Sequence, residues 1–168
     1  MLRIIVMRHA KSSWNNPLLT DHDRPLNKRG VSDSPKMARK LMGFEEWIPT
    51  CIFSSTAKRA QQTRELFLKE WMSSGQPSPS LFDQKQLYFG GVKAHQSLIA
   101  NCTHSELPMF VGHNPDIEEL LTSLTGEEHR ITTANIALIE HSAQQFEQAA
   151  KLNNWRLVEL FRPRPPRS

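Results

Sequence analysis

The sequence predicts an α/β fold, a three-layer α/β/α sandwich around a mostly parallel central sheet, and three observations carry that expectation. Short uninterrupted apolar runs, Ile4-Ile5-Val6-Met7, Cys51-Ile52-Phe53 and Pro108-Met109-Phe110-Val111, read as strands buried on both faces. Segments of helical periodicity separate them, the alternation that builds parallel sheets through crossover connections. Each of the three runs also stops at a polar signature: Arg8-His9, then Ser54-Ser55 with Lys58-Arg59, then Gly112-His113-Asn114. Parallel strands would gather all three on one sheet edge, where open α/β sheets hold their ligands.

Taken in order, the first strand leads into a polar loop, Lys11 to Arg24, long enough to read as functional. Asn27 can cap a helix marked by Val31, Ala38, Leu41 and Met42 and closed by Gly43, with Pro35 expected to kink or break it. After the second strand, Thr56 or Ser55 can cap a helix running to about Trp71, with Ala60, Thr63, Phe67 and Trp71 on one face. Ser73 to Ser80 is rich in Ser, Pro and Gly and reads as a loop. Leu81-Phe82 is a short strand candidate, and Leu87-Tyr88-Phe89 an apolar cluster ahead of the Gly90-Gly91 break. From Val92, the spacing of His95, Leu98, Ile99 and Cys102 predicts a further amphipathic helix. Beyond the third strand, Asn114 as N-cap with Pro115 as first helical residue predicts a helix striped by Ile117, Leu120, Leu121 and Leu124 up to Gly126. Ile136 to Ile139 and Trp155 to Phe161 read as strands, the last with the alternation of a half-exposed edge.

The 168 residues suit one domain, expected over 1–161, and a Pro/Arg-rich tail over 162–168 that cannot continue a sheet and is expected to be mobile. A net charge of +4 suits an anionic small molecule or protein surface and falls short of a nucleic-acid footprint. No apolar stretch approaches a membrane span, and the N-terminus enters a strand-like run without a signal pattern. The expectation is a soluble, cytoplasmic, monomeric protein. Cys51 and Cys102 read as buried, reduced thiols. His22, His95, His104, His129 and His141 lack metal-ligand spacing, and neither GxxxxGK[ST] nor GxGxxG occurs, so no metal or cofactor is expected.

Two histidines and two arginines on one edge suit phosphoryl transfer. An arginine fork matches phosphoryl oxygens and, always protonated, stabilises transition-state charge. A neutral imidazole can attack phosphorus and form a covalent phosphohistidine, splitting one hard displacement into two. Arg59 in the first turn of a helix opposes the helix dipole, a placement that points to an anion nearby, whereas Lys58 is expected to face solvent.

Arg8-His9-Ala10 resembles the Arg-His-Gly signature of the histidine phosphatase superfamily, which also contains phosphoglycerate mutases. The resemblance continues through Ser12, Trp14 and Asn15, through Ser54-Ser55 to Arg59-Ala60-Gln61-Gln62-Thr63, and to Val111-Gly112-His113-Asn114-Pro115. The short length, the run Ala10 to Trp14, Asp21-His22-Asp23-Arg24-Pro25-Leu26 and Leu87-Tyr88 look most like the small phosphohistidine phosphatase branch. The resemblance implies a phosphoglycerate-mutase-like fold and a metal-independent hydrolase. It makes His9 the nucleophile, Arg8 and Arg59 the phosphoryl clamp, and His113 a group that binds the phosphoryl and stabilises its charge; Asn15, Arg24 and Lys11 are further candidates for substrate contacts.

Two departures bear on the substrate. Ala10 stands where the family signature has glycine, so no positive φ is expected there. Many members carry an acidic general acid after the second helix, where Gln84-Lys85-Gln86-Leu87-Tyr88 has no carboxylate and Asp83 is the one candidate. An alkoxide leaving group needs a proton, and losing the acid costs about 10²–10⁴-fold. An imidazole leaving group can carry its own. The expected substrate is therefore a phosphohistidine in a phosphorylated protein. The alternatives are small-molecule phosphoesters or phosphoanhydrides, or a non-catalytic phosphate-binding module, against which the intact His9 argues.

Overall fold

Apolar runs with no polar break can be buried on both faces, and the first strand is built that way. In the computed structural model, which describes residues 1–165, β1 (Leu2–Arg8) sends Ile5 and Met7 to one side of the sheet and Ile4 and Val6 to the other, all fully buried. The remaining elements are α1 (Lys28–Met42), β2 (Cys51–Ser54), α2 (Lys58–Ser73), β3 (Ser80–Asp83), α3 (Gly91–Ala100), β4 (Pro108–Gly112), α4 (Asp116–Thr125), β5 (Ile136–His141), α5 (Phe146–Ala149) and β6 (Arg156–Phe161). The sheet order is β3-β2-β4-β1-β5-β6, and only β5 runs against the others. The expected α/β/α sandwich with a mostly parallel sheet is the fold observed.

Each face has its own core. Met37, Ala38 and Leu41 of α1 and Phe67, Leu68 and Trp71 of α2 cover Ile5, Met7, Ile52, Met109 and Val111. On the opposite face Ile99 of α3, Ile117, Leu120, Leu121 and Leu124 of α4 and Phe146 of α5 cover Ile4, Val6, Phe110, Ala137 and Ile139. Truncating any one of these leucines to alanine is expected to cost about 2–5 kcal/mol. The consequence for function is register: Arg8 pairs with Gly112 and Ser54 with Val111, so the carboxyl ends of β1, β2 and β4 finish level.

Several local expectations give way to tertiary demands. Val31 is 47% exposed, because the inward stripe of α1 is Gly30, Asp33, Ser34, Met37, Ala38 and Leu41. Pro35 does not break α1; the carbonyl it leaves unpaired belongs to Val31, which faces water. Asn27 caps α1 as expected, accepting from Gly30 N at 2.9 Å. Neither Thr56 nor Ser55 caps α2, whose N-cap is Ala57; Ser55 Oγ instead accepts from Ala57 N (3.2 Å) and Thr56 Oγ1 bonds His22 Nε2 (2.9 Å). Asn114 does not cap α4 either, since its amide donates to Ile131 O at 2.8 Å and the helix begins at Asp116 after Pro115.

The tail also departs from expectation. Lys40 Nζ donates to Arg162 O, and the Arg164 guanidinium makes two parallel bonds, 2.8 and 2.9 Å, to the fully buried carboxylate of Asp33. A carboxylate inside a helix-sheet layer needs a cation, and the tail supplies one. Pro166, Arg167 and Ser168 lie outside the described residues. Cys51 and Cys102 are free thiols, pushed by burial up to about 11 and about 12. No helix among the described residues is long and apolar enough to cross a membrane.

Gly30 is the point at which α1 meets the loop after β1. A Cβ there would stand 2.2 Å from the Lys11 carbonyl oxygen, which itself accepts from Asn27 N at 3.0 Å. Gly30→Ala is therefore expected to destabilise the protein by about 1–3 kcal/mol through overpacking, although alanine is the better helix former. Urea unfolding of the variant measures this, and an unchanged or raised midpoint contradicts it.

Candidate active site

The level strand ends place His9 and His113 side by side, with ring centroids 5.0 Å apart. His9 is 6% exposed and His113 is 1% exposed. His9 Nδ1 lies 2.7 Å from Ala10 O. A carbonyl only accepts, so Nδ1 carries the proton and Nε2 keeps its lone pair. Arg59 reaches that lone pair from α2, its Nε 3.4 Å from His9 Nε2. His113 bonds Ser55 Oγ through Nε2 at 2.8 Å. The Ser55 hydroxyl accepts from Ala57 N and has its own proton to give; in the tautomer in which it donates to His113 Nε2, the His113 proton resides on Nδ1. That Nδ1 is buried without a partner, as is Arg8 Nε. In that tautomer both are orphaned donors at one sheet edge, which marks a place for an acceptor.

Both imidazoles are held neutral. Burial is the main cause for His9, joined by the charges of Arg59, Arg8 and Arg24, and the pKa falls to about 3 despite the bond to Ala10 O. Burial, the neighbouring His9 and Arg59 lower His113 to about 2. Burial also pushes the Arg8 guanidinium down, with the Glu118 charge opposing it. Arg8 Nη1 donates to Ile131 O at 3.1 Å.

The cations are secured by a residue that sequence reasoning did not single out. Asp21, in a short 3₁₀ turn (Asp21–Asp23), accepts from Arg59 Nη2 (3.0 Å), Arg24 Nε (3.1 Å) and the Tyr88 hydroxyl (2.6 Å), while its backbone oxygen takes Arg59 Nη1 (2.6 Å). Partial burial alone would raise its pKa; the Tyr88 bond and the two arginines outweigh that and hold it at about 2. Arg24 further donates to Ser12 Oγ (2.6 Å) and lies under the Trp14 ring, 3.6 Å from its centroid. The block Asp21-His22-Asp23-Arg24 in a long loop was the available signal for this carboxylate. Ser55 and Tyr88 are the other contributors without an expected role.

Of the residues singled out from sequence, the structure brings together Arg8, His9, Arg59, His113 and, through Asp21, Arg24. Asn15 is exposed and Lys11 half-buried, and no side-chain hydrogen bond ties either to the cluster. Asp83, the candidate acid, is in an ion pair with Arg64. Ala10 is absent from the positive-φ positions, which are Phe89 and Ala134 apart from glycines, so its backbone has no need of the family's glycine. Lys58 is exposed, as expected.

Comparison with known proteins matches this geometry to a family. Residues 4–84 match the histidine phosphatase superfamily (branch 1). A chloroplastic protein of Arabidopsis thaliana is 32% identical over a gapped alignment of 178 positions that covers 96% of this chain and 78% of the relative. A crystal structure from Agrobacterium tumefaciens, provisionally named phosphohistidine phosphatase SixA, is 27% identical with a TM-score of 0.78, over 96% of this chain and 98% of that one. A protein histidine phosphatase SixA complexed with tungstate shares the fold, with a TM-score of 0.80 at 23% identity over 96% and 97% of the two chains. The chain belongs to the histidine phosphatase superfamily, in its small SixA-like branch.

Neutral buried imidazoles make stability depend on pH. Between about pH 6.5, where an unfolded histidine titrates, and about 3, where His9 does, the unfolded chain binds protons that the native chain refuses, so stability falls with added acid. Asp21 adds to the loss below about pH 4. Urea unfolding from pH 7 to 4.5 is expected to show a decline of up to about 1.4 kcal/mol per pH unit for each fully neutral imidazole, and His113→Asn to flatten it. A limb equally steep in the variant contradicts the assignment.

Proposed function

We propose that this chain is a phosphatase that takes the phosphoryl group of a phosphohistidine in a protein substrate onto His9 and passes it to water. The observation that carries the reading is the His9 tautomer: Nδ1 is committed to Ala10 O, which leaves the Nε2 lone pair facing Arg59. In the first step Nε2 attacks phosphorus, the bond from phosphorus to the substrate imidazole breaks, and its electron pair leaves with that ring. In the second, water attacks phosphorus, Nε2 departs, and inorganic phosphate is released. Arg8 and Arg59 hold the phosphoryl oxygens, and the His113 Nδ1 proton and Arg24 complete the charge stabilisation. Lys11 and Asn15, in the loop after β1, are assigned contacts with the rest of the substrate in this reading. All these groups come from one chain over residues 1–161, so the reaction needs no second subunit.

The leaving group is argued from proton supply. Asp21 is held ionised by two arginines and Tyr88, and Asp83 is paired with Arg64, so neither is poised to protonate an alkoxide. Phosphohistidine is thereby favoured over alkyl phosphomonoesters.

Brief incubation with a phosphohistidine peptide, followed by mass spectrometry under alkaline conditions, should place a phosphoryl group on His9 and none on His9→Ala. Arg59→Lys should lower kcat/KM by about 10²-fold or more, and a chelator should leave the rate unchanged, since arginines supply the charge. Faster hydrolysis of alkyl phosphomonoesters than of phosphohistidine would overturn the substrate assignment. Failure to trap any phosphoryl group would favour a binding module.

A further inference from the structure

Phe89 is half exposed, yet its backbone sits in the left-handed region at φ 57°. Phenylalanine rarely adopts that conformation, and glycine adopts it freely. Gly90 and Gly91 follow immediately, so neither burial nor the turn accounts for an aromatic residue at this position. What the conformation achieves is placement. The Phe89 ring lies 5.2 Å from the His113 imidazole at a tilt of 31°, and 4.8 Å from the Tyr88 ring. Tyr88 stands edge-on to His113 at 5.5 Å, has the Arg59 guanidinium 5.9 Å from its centroid, and meets His22 edge-on at 4.8 Å.

These contacts locate the rings relative to the reaction proposed above, on which this inference rests. In an in-line displacement His9 Nε2 and the leaving group occupy opposite apical positions, while Arg59 and His113 hold equatorial oxygens. Phe89 is exposed and its ring packs on His113, and Tyr88 packs on both His113 and Arg59, so the two rings border the groups assigned to the equatorial oxygens and present an aromatic surface to an arriving substrate. Rings at 4.5–7 Å centroid separation attract one another in tilted and edge-on arrangements, and the four rings His22, Tyr88, Phe89 and His113 already stand in that range.

We propose that Phe89 and Tyr88 form a leaving-group subsite that takes a planar aromatic ring, the imidazole of the substrate, and so favours aromatic over acyl or alkyl leaving groups. Strain at Phe89 is retained because glycine would lose the platform.

The test compares phosphoimidazole, whose leaving group is a ring, with acetyl phosphate, whose leaving group is activated but has none. Phe89→Gly suits the positive φ and should fold. Its ratio of kcat/KM for phosphoimidazole over acetyl phosphate should fall about tenfold, and Phe89→Tyr should restore it. Loss by the same factor on both compounds, or on neither, overturns the subsite and leaves Phe89 as a support for His113. Should the parent protein acquire no phosphoryl group on His9 from either compound, the proposed reaction itself fails, a result separable from failure of the subsite.

Discussion

The site depends on one carboxylate. Arg24 and Arg59 are both buried, and two guanidinium groups withdrawn from water beside one another repel unless a counter-charge is shared between them. Asp21 divides its oxygens accordingly, Oδ1 to Arg24 and Oδ2 to Arg59, with the Tyr88 hydroxyl closing the arrangement on Oδ2. Arg8 draws on Glu118, whose charge reaches it from α4. Three arginines thus face two carboxylates, and the unmatched positive charge at a sheet edge is what an anion would neutralise. Asp21 is only partly buried, so this balance is struck at the rim, where substrate would arrive.

The backbone that carries the histidine is fastened from several sides. Arg8 N donates to Asn135 O, His9 N to Gly112 O of β4, and Ala10 N to Thr63 Oγ1 of α2. Thr63 in turn donates to Arg59 O, so one hydroxyl links the turn bearing His9 to the helix bearing Arg59. Ala134, at φ 65°, sends its N–H to the carbonyls of Arg8 and His9. Every N–H of the three-residue signature is used by a different neighbour. The backbones that carry the imidazole and the guanidinium are therefore tied together through the Thr63 hydroxyl, and Asp21 holds the guanidinium itself, before any ligand binds, which is the preorganisation that charge stabilisation requires.

What could be read from sequence and what could not divide along physical lines. The strand ends were legible because apolar runs of four stop abruptly at Arg8 and Gly112, and residues able to do chemistry follow at once. Arg59 was legible because a cation in the first turn of a helix works against the dipole. Asp21, Tyr88 and Ser55 were not, since their partners lie 38, 67 and 58 positions away and no periodicity announces such pairs. The same distance hid the Asp33 and Arg164 pair, 131 positions apart, and made the tail look free as far as Arg164. Where a local rule failed, a tertiary bond had taken the residue: Asn114 would suit an N-cap, but the Ile131 carbonyl also needed a donor. Val31 fitted the helical spacing as well as its neighbours did, but the stripe that turned inward carries Met37, Ala38 and Leu41 into the core together with the buried Asp33.

The burial and charge that hold His9 neutral also restrict the leaving group of the proposed reaction. Burial, joined by the arginine charges, keeps protons off His9, and the Tyr88 bond with Arg59 and Arg24 keeps protons off Asp21. The Tyr88 phenol offers little as an acid, since burial and its bond to the Asp21 carboxylate strengthen its hold on the proton. A site of this kind cannot easily hold a protonated carboxyl close to phosphorus, because any carboxyl brought there would meet Arg8, Arg24 or Arg59 and ionise. Under the proposed reaction, alkoxide departure would then draw its proton from solvent, whereas an imidazole with its second nitrogen exposed can be protonated before the displacement begins. Burial first and then the charge density of the sheet edge keep His9 neutral, the same charge density keeps a carboxyl there ionised, and the proposed preference for a phosphohistidine is the one that needs no dedicated proton donor.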